Sequence, residues 1–298
     1  MKTKRLFVLL SVGVVALMAC SCNREGLDAG TMDEIVFDVD GVSIEAEVAT
    51  KVSVVTDADL TSNGFAVNCV KGSAGSDTQV WSNAAFTKSG TVWKGDKWWP
   101  SSNQSYRFYA VYPSTTMTFA AGGPTIAATN ASDFVCAYAS APTYKSSNVL
   151  TFNHIFARLK NMTVQALNDY SISNVTISIT PKTGGTYNLY SGAGQTNGTG
   201  WSSLTSGSAT NIANATPGTK TNDLYLVPGS YTLTASWTAT KGEYTQTFTG
   251  KTVNVSLVAG KTNNITASLT GDATEIQFTV SVVAWADNAV NAGTFPIN

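Results

Sequence analysis

The sequence predicts an all-β protein, and three observations carry that expectation. Short segments of five to ten residues, rich in Val, Ile, Thr, Tyr and Phe, recur along the 298-residue chain, divided by Gly, Asn, Asp or Pro. Many alternate with period two: Thr232, Thr234, Ser236 and Thr238 interleave with Leu233, Ala235 and Trp237, which buries one strand face and wets the other. Only 12% of residues are charged, about half the usual share, too few for surface helices laced with ion pairs. Helical periodicity is scarce, so spacing of this kind implies sandwiches and not a βαβ sheet.

The chain opens with Lys2, Lys4 and Arg5, an apolar run from Leu6 to Met18, and then Leu17-Met18-Ala19-Cys20-Ser21-Cys22. This reads as a bacterial lipoprotein signal peptide, residues 1–19, ending at a cysteine that receives lipid. Cys20, with Leu17 three back and Ala19 at the cut, is the favoured acceptor, and Cys22 is the alternative. Thirteen apolar residues span only about 20 Å as a helix, short of a hydrocarbon core of about 30 Å, so an uncleaved anchor fits poorly. The signal places the protein on the outer membrane, tethered by acyl chains. Residues 20–34 form the tether.

Strands are then expected at Ile35–Val39, Val42–Val48, Phe65–Val70, Tyr106–Tyr112 and Val149–Phe152, followed by Leu159–Leu167, Ile172–Ile179 and Leu224–Val227. Tyr231–Thr238, Tyr244–Phe248, Val253–Val258, Asn264–Leu269 and Ile276–Trp285 complete the series. A domain joint near 155–162 divides the chain into an N-terminal part, 35–158, and a more regular C-terminal part, 159–298. Gly184-Gly185 and the glycine-rich stretch 192–200 read as a long flexible loop.

A formal net charge of −1 gives no basic face for nucleic acid. Cys69 and Cys136 lie in apolar runs and read as small buried hydrophobes, although a secreted location permits a disulfide. With one histidine, His154, and no paired-cysteine spacing, neither a metal site nor a cofactor is expected. No nucleophile elbow, phosphate loop or zinc helix is present, so no catalytic residue is assigned and His154 reads as a structural, hydrogen-bonded histidine. The aromatic cluster Trp93, Trp98, Trp99, Tyr106, Phe108, Tyr109 and Tyr112 is either a sugar-stacking platform or core. Tyr106–Tyr112 alternates as a strand buried on both faces.

Three stretches, taken together, resemble one family. They are Trp93-Lys-Gly-Asp-Lys-Trp98-Trp99-Pro100 with Tyr106–Pro113; Asp133–Tyr138 with Val149–Leu159, which holds Phe152-Asn-His154-Ile-Phe-Ala157-Arg158-Leu159; and Phe278–Trp285. Their order and spacing are similar to the fimbrillin family, Mfa-like and FimA-like lipoproteins of Bacteroidales-type bacteria. The resemblance implies two tandem transthyretin-like β-sandwich domains and a subunit of a cell-surface pilus. It further implies a trypsin-like protease that removes an N-terminal strand, and a neighbouring subunit that refills the groove.

On these residues the resemblance points to Lys51 in Ala49-Thr50-Lys51-Val52 as the cut. Related fimbrillins often carry Thr-Arg-Ala there, and Lys for Arg leaves a trypsin-like enzyme in place of an arginine-specific one. Residues 25–50 contain eight acids and no Lys or Arg. The strand to be exchanged is then about 35–48, with Ile35, Val36, Phe37, Val39, Val42 and Ile44 as its apolar positions; an ordinary edge strand is the alternative. A donor would come from the C-terminus, ahead of Pro296, which lacks an amide hydrogen. Residues 276–285 read instead as completing their own sheet. Expected partners are other fimbrial subunits, the membrane and the protease. A second reading, a tip adhesin or stand-alone surface lipoprotein, needs Trp98 and Trp99 exposed side by side for a glycan or protein ligand.

Overall fold

The computed structural model describes residues 34–42, 55–72, 77–100, 105–120, 122–139, 148–167, 169–192, 200–269, 276–284, 289–290 and 294–295. All belong to one compact unit, Asp33–Asn298. Cys20, Cys22, Ile44 and Lys51 lie outside the described residues.

The described chain is almost wholly strand. In order, the first half holds β1 (Glu34–Val42), α1 (Asp57–Asn63), β2 (Phe65–Lys71), β3 (Thr78–Ser89), β4 (Val92–Trp98), β5 (Tyr106–Tyr112), β6 (Thr118–Ala120), β7 (Gly123–Thr129), β8 (Val135–Ala139) and β9 (Asn148–His154). The second holds β10 (Ala157–Val164), β11 (Ser171–Ile179), β12 (Lys182–Asn188), α2 (Leu189–Gly192), β13 (Trp201–Ser206), β14 (Thr210–Asn211), β15 (Gly218–Leu226), β16 (Gly229–Lys241), β17 (Tyr244–Leu257), β18 (Lys261–Leu269) and β19 (Ile276–Ala284). Two short pieces, β20 (Ala289–Val290) and β21 (Thr294–Phe295), follow.

Seven strands close into a barrel in the order β1-β4-β3-β2-β5-β8-β9. Alternation explains its interior. Phe65, Val67 and Cys69 of β2, Tyr106, Phe108 and Ala110 of β5, and Leu150 and Phe152 of β9 share one buried cluster with Ile35 and Phe37. The other face of β2, β5 and β8 is also covered. Ala66, Val70, Tyr109 and Val111 pack with Ile126, Ala128 and Tyr187, which belong to an outer sheet ordered β13-β12-β7-β6. This is why Tyr106–Tyr112 is buried on both faces, as its sequence predicts.

The C-terminal strands form two further sheets, β15-β10-β18-β19-β20 with β21 also on β19, and β14-β11-β16-β17. One core cluster draws on both. Leu159, Met162, Ile265, Ala267, Phe278 and Val280 come from the first sheet, and Ile177, Leu233, Trp237, Phe248 and Val255 from the second. Trp237 stacks on Phe248 with ring centroids 4.9 Å apart. The opposite face of β16 is wet, and its hydroxyls ladder across to β17 through Thr238–Thr247 at 3.2 Å and Thr240–Thr245 at 3.1 Å.

Two expectations are corrected. Gly184 and Gly185 lie inside β12 and not in a loop. The missing side chain is what admits the neighbouring strand: a Cβ on Gly184 would stand 2.4 Å from the Ala128 carbonyl oxygen. The segments expected at Tyr244–Phe248 and Val253–Val258 are one strand of 14 residues, β17. Gly250, at φ +65°, sits where the register with β16 shifts, so the alternation breaks while pairing continues. The strand expected from Val42 is described only at Val42, where it is the end of β1, and 43–50 lie outside the described residues.

Candidate functional site

β1 lies between β4 and β9. It pairs antiparallel with β4, through Glu34↔Trp98, Val36↔Lys94 and Phe37↔Trp93, and parallel with β9, from Phe37↔Asn148 to Val42↔Phe152. Ile35 and Phe37 point inward and are fully buried. The Phe37 ring meets Phe86 and Phe108 edge-on, each at 5.0 Å between centroids. Val39 packs partly against the same cluster, while Val36 is half-buried and Asp38 exposed. Ile35 and Phe37 thus alternate with Val36, which the sequence groups with them as an apolar position but which does not share their full burial. An ion pair, Lys94 Nζ to Glu34 Oε2 at 2.6 Å, ties the outer face.

The topology makes this strand unlike its neighbours. Among the described residues β1 pairs with neither β2, the next described strand in sequence, nor any hairpin partner. The hairpins β2–β3, β3–β4 and β8–β9 are complete without it. Its bond to β9 is the barrel's one parallel pairing among the described residues, and parallel ladders are slightly weaker per residue.

The chain resumes at Val55 and enters α1. Thr56 caps this helix reciprocally: its Oγ1 accepts from the Asp59 amide at 3.3 Å, and its own amide donates to Asp59 Oδ2 at 2.7 Å. Leu60 is the helix's buried residue. The Thr-x-x-Asp box is a sequence signal that the strand-based reading passed over. Gly64 ends the helix at φ +70°, where a Cβ would lie 2.4 Å from the Phe86 carbonyl oxygen. A cavity of about 100 Å³ opens between this helix and the barrel, lined by Val39, Asp57, Leu60, Thr61, Lys88 and Trp93.

His154 ends β9 with its side chain buried, its Nδ1 2.8 Å from Asp133 Oδ2. The partner Asp133, just before β8, was not foreseen, because 21 residues separate the two. The same Oδ2 accepts the amide of Val55 at 3.0 Å.

The tryptophan pair is corrected. Trp98 is 47% exposed but Trp99 only 6%, packed edge-on against Tyr106 and Phe108. Consecutive strand-like residues point to opposite faces, so the two rings cannot make one platform. Cys69 and Cys136 are free. Cys69 faces the barrel interior and Cys136 packs toward the outer sheet, so the two thiols stand on opposite faces. Burial pushes both thiol pKa values up. Among the described residues no group of three His, Cys, Asp or Glu could hold a metal ion. At the far end β19 pairs with β18 over its whole length, from Lys261↔Ala284 to Leu269↔Ile276, as the sequence predicts. The tail returns along the other edge of β19 through Val282↔Val290 and Phe278↔Phe295.

A family model described as fimbrillin-like matches residues 50–285. The chain belongs to the fimbrillin-like family. The match begins beyond β1 and runs to the end of the last long strand. No curated relative matches this fimbrillin. Among solved structures it is similar to a fimbrial protein from Bacteroides vulgatus, at 16% identity and TM-score 0.53, over 85% of this chain and 99% of that one. Similar in turn are a candidate cell adhesion protein from Bacteroides uniformis (15% identity, TM-score 0.44, 86% and 99% covered) and a fimbrial assembly protein from Parabacteroides distasonis (11%, 0.41, 84% and 95%). At such identities the likeness to the first is one of fold.

Proposed function

We propose that this fimbrillin is the lipid-anchored precursor of a structural subunit of a cell-surface fimbria that supports adhesion. A trypsin-like protease cuts at Lys51, β1 leaves, and a strand from a neighbouring subunit takes its place. Lipid on Cys20, with Cys22 as the alternative acceptor, holds the precursor at the outer membrane until then. The family membership and the fimbrial likeness support the subunit role.

The observation that carries the reading is the position of β1, a ring-closing strand with no hairpin partner among the described residues, lying ahead of Lys51 in the sequence. Its loss uncovers Phe86, Phe108, Leu150 and Phe152 and leaves β4 and β9 each with an unpaired edge. A strand from another chain satisfies apolar groove and backbone together. The tail is the available donor, since two two-residue pieces hold it to β19. Head-to-tail contacts of this kind do not close on themselves and so grow a filament.

Trypsin treatment of the purified protein tests this. The expected result is a discrete new N-terminus at Val52 and a ladder of oligomers. No cut near Lys51 and no ladder would sink the polymerising reading. Of the tryptophan pair, the alternative, a tip adhesin or glycan-binding lipoprotein, is left with Trp98 as the exposed ring.

A further inference from the structure

We infer that the Asp133 carboxylate is a clamp that fixes the chain at Val55, and so sets where the retained barrel begins once the first strand is gone. Its use in assembly rests on the removable-strand reading above; the clamp itself does not.

Three placements lead to it. The side chains of Asp133 and His154 are 0% and 1% exposed. A carboxylate taken so completely out of water is costly unless donors surround it. One of its donors is the backbone amide of Val55, across 78 residues of sequence. Charge-assisted bonds of this kind are about twice as strong as neutral ones. The carboxylate therefore joins two remote segments, where an apolar residue would only fill space. The phenol of Tyr225 on β15 also feels it: burial, and then the Asp133 charge, push that pKa up.

The second placement concerns the barrel end. β1 runs out beside β9 at Val42↔Phe152, two residues short of His154. Val55, where the described chain resumes, is tied to Asp133 ahead of β8, and the same carboxylate oxygen meets His154 at the end of β9. The third is the sequence of ties after Val55: the Thr56 capping box follows at once, then buried Leu60. A seven-residue helix is not stable alone. With β1 withdrawn, α1 keeps its place only if its leading end is held, and the bond from Val55 to Asp133 holds it.

Asp133 and His154 are positioning residues, so the test reads local opening. Hydrogen–deuterium exchange is followed in peptides spanning 55–60, with β5 and β8 as internal controls of folding, in wild type, Asp133→Leu and Asp133→Asn. Leucine removes the acceptor, and exchange at 55–60 should rise by about tenfold or more while β5 and β8 stay protected. Asparagine keeps a neutral acceptor and should raise it by only a few fold. If leucine unfolds the barrel, the asparagine variant decides. Unchanged exchange at 55–60 in the folded variants overturns the clamp. The uncut chain is used throughout, so failure of cleavage at Lys51 would remove the assembly reading and leave this result standing.

Discussion

The barrel and the C-terminal sandwich close their cores in different ways. In the sandwich, β16 and β17 form one long hairpin with twelve paired positions, from Gly229↔Leu257 to Lys241↔Tyr244, and β18 and β19 pair along their full length. Others of its pairings are longer-range, among them β10 with β15 and, in parallel, with β18. In the barrel the last place in the ring is taken by β1, the first of the barrel's strands in sequence, beside β9, the last of them. The apolar burial is alike in kind: Phe37 and Trp237 are both sealed in. What differs is connectivity. In the proposed reading, a strand held by its ladders and two or three side chains, with no hairpin partner among the described residues, leaves as a unit. A strand inside a hairpin cannot leave without its neighbour.

Paired substitutions in the two cores break or sharpen that contrast most strongly. Phe37→Ala and Trp237→Ala should each cost about 3–5 kcal/mol in chemical denaturation. Only Phe37→Ala should also speed tryptic loss of the first strand. Equal acceleration by both would mean that β1 leaves by global unfolding. Alkali should act unequally as well. Burial raises the pKa of Tyr109, Tyr187 and Tyr225, all in the cluster between barrel and outer sheet, whereas the sandwich core has Tyr231, raised to about 12. A phenol whose pKa is higher folded than unfolded ionises first in the unfolded chain. Stability is therefore intact below pH 10 or so and falls as pH rises from there, more steeply where more phenols are involved. Thermal scans from pH 9 to 11.5, read by tryptophan fluorescence, should show the barrel layer failing first.

The wet threonine face of β16 and the doubly buried Tyr106–Tyr112 could be read directly, because alternation reports burial wherever a strand is regular. Several strands escaped that reading, five of them for physical reasons the structure shows. β3 and β4 carry Asn83 and Asp96 at positive φ, which interrupts the period. β7 and β12 pair through glycine-rich backbone, where close approach, not a side chain, makes the contact. β13 is exposed along five of its six residues and has little apolar pattern to show. For the candidate site, the inward residues of β1 were legible in the same way. Its parallel seat beside β9 was not, nor was the Asp133–Val55 bond, since pairings across more than seventy residues leave no local trace.

Gly184→Val is a smaller lever on the outer sheet. Its Cβ would collide with the Ala128 carbonyl oxygen, so the variant should lose about 1–3 kcal/mol with β1 release unchanged. Smallest is Glu34→Ala. The Lys94 pair it removes is partly exposed, so the loss should stay under about 1 kcal/mol and shrink further in salt.

A reversible staple across the Val36↔Lys94 register bears most directly on whether β1 is a removable part. A Val36→Cys, Lys94→Cys chain, oxidised and then cut with trypsin, should remain monomeric, and should polymerise when reductant frees the strand. Oligomers that form with the staple closed, or none after it is opened although the chain is cut, would show that assembly does not pass through an emptied β1 groove.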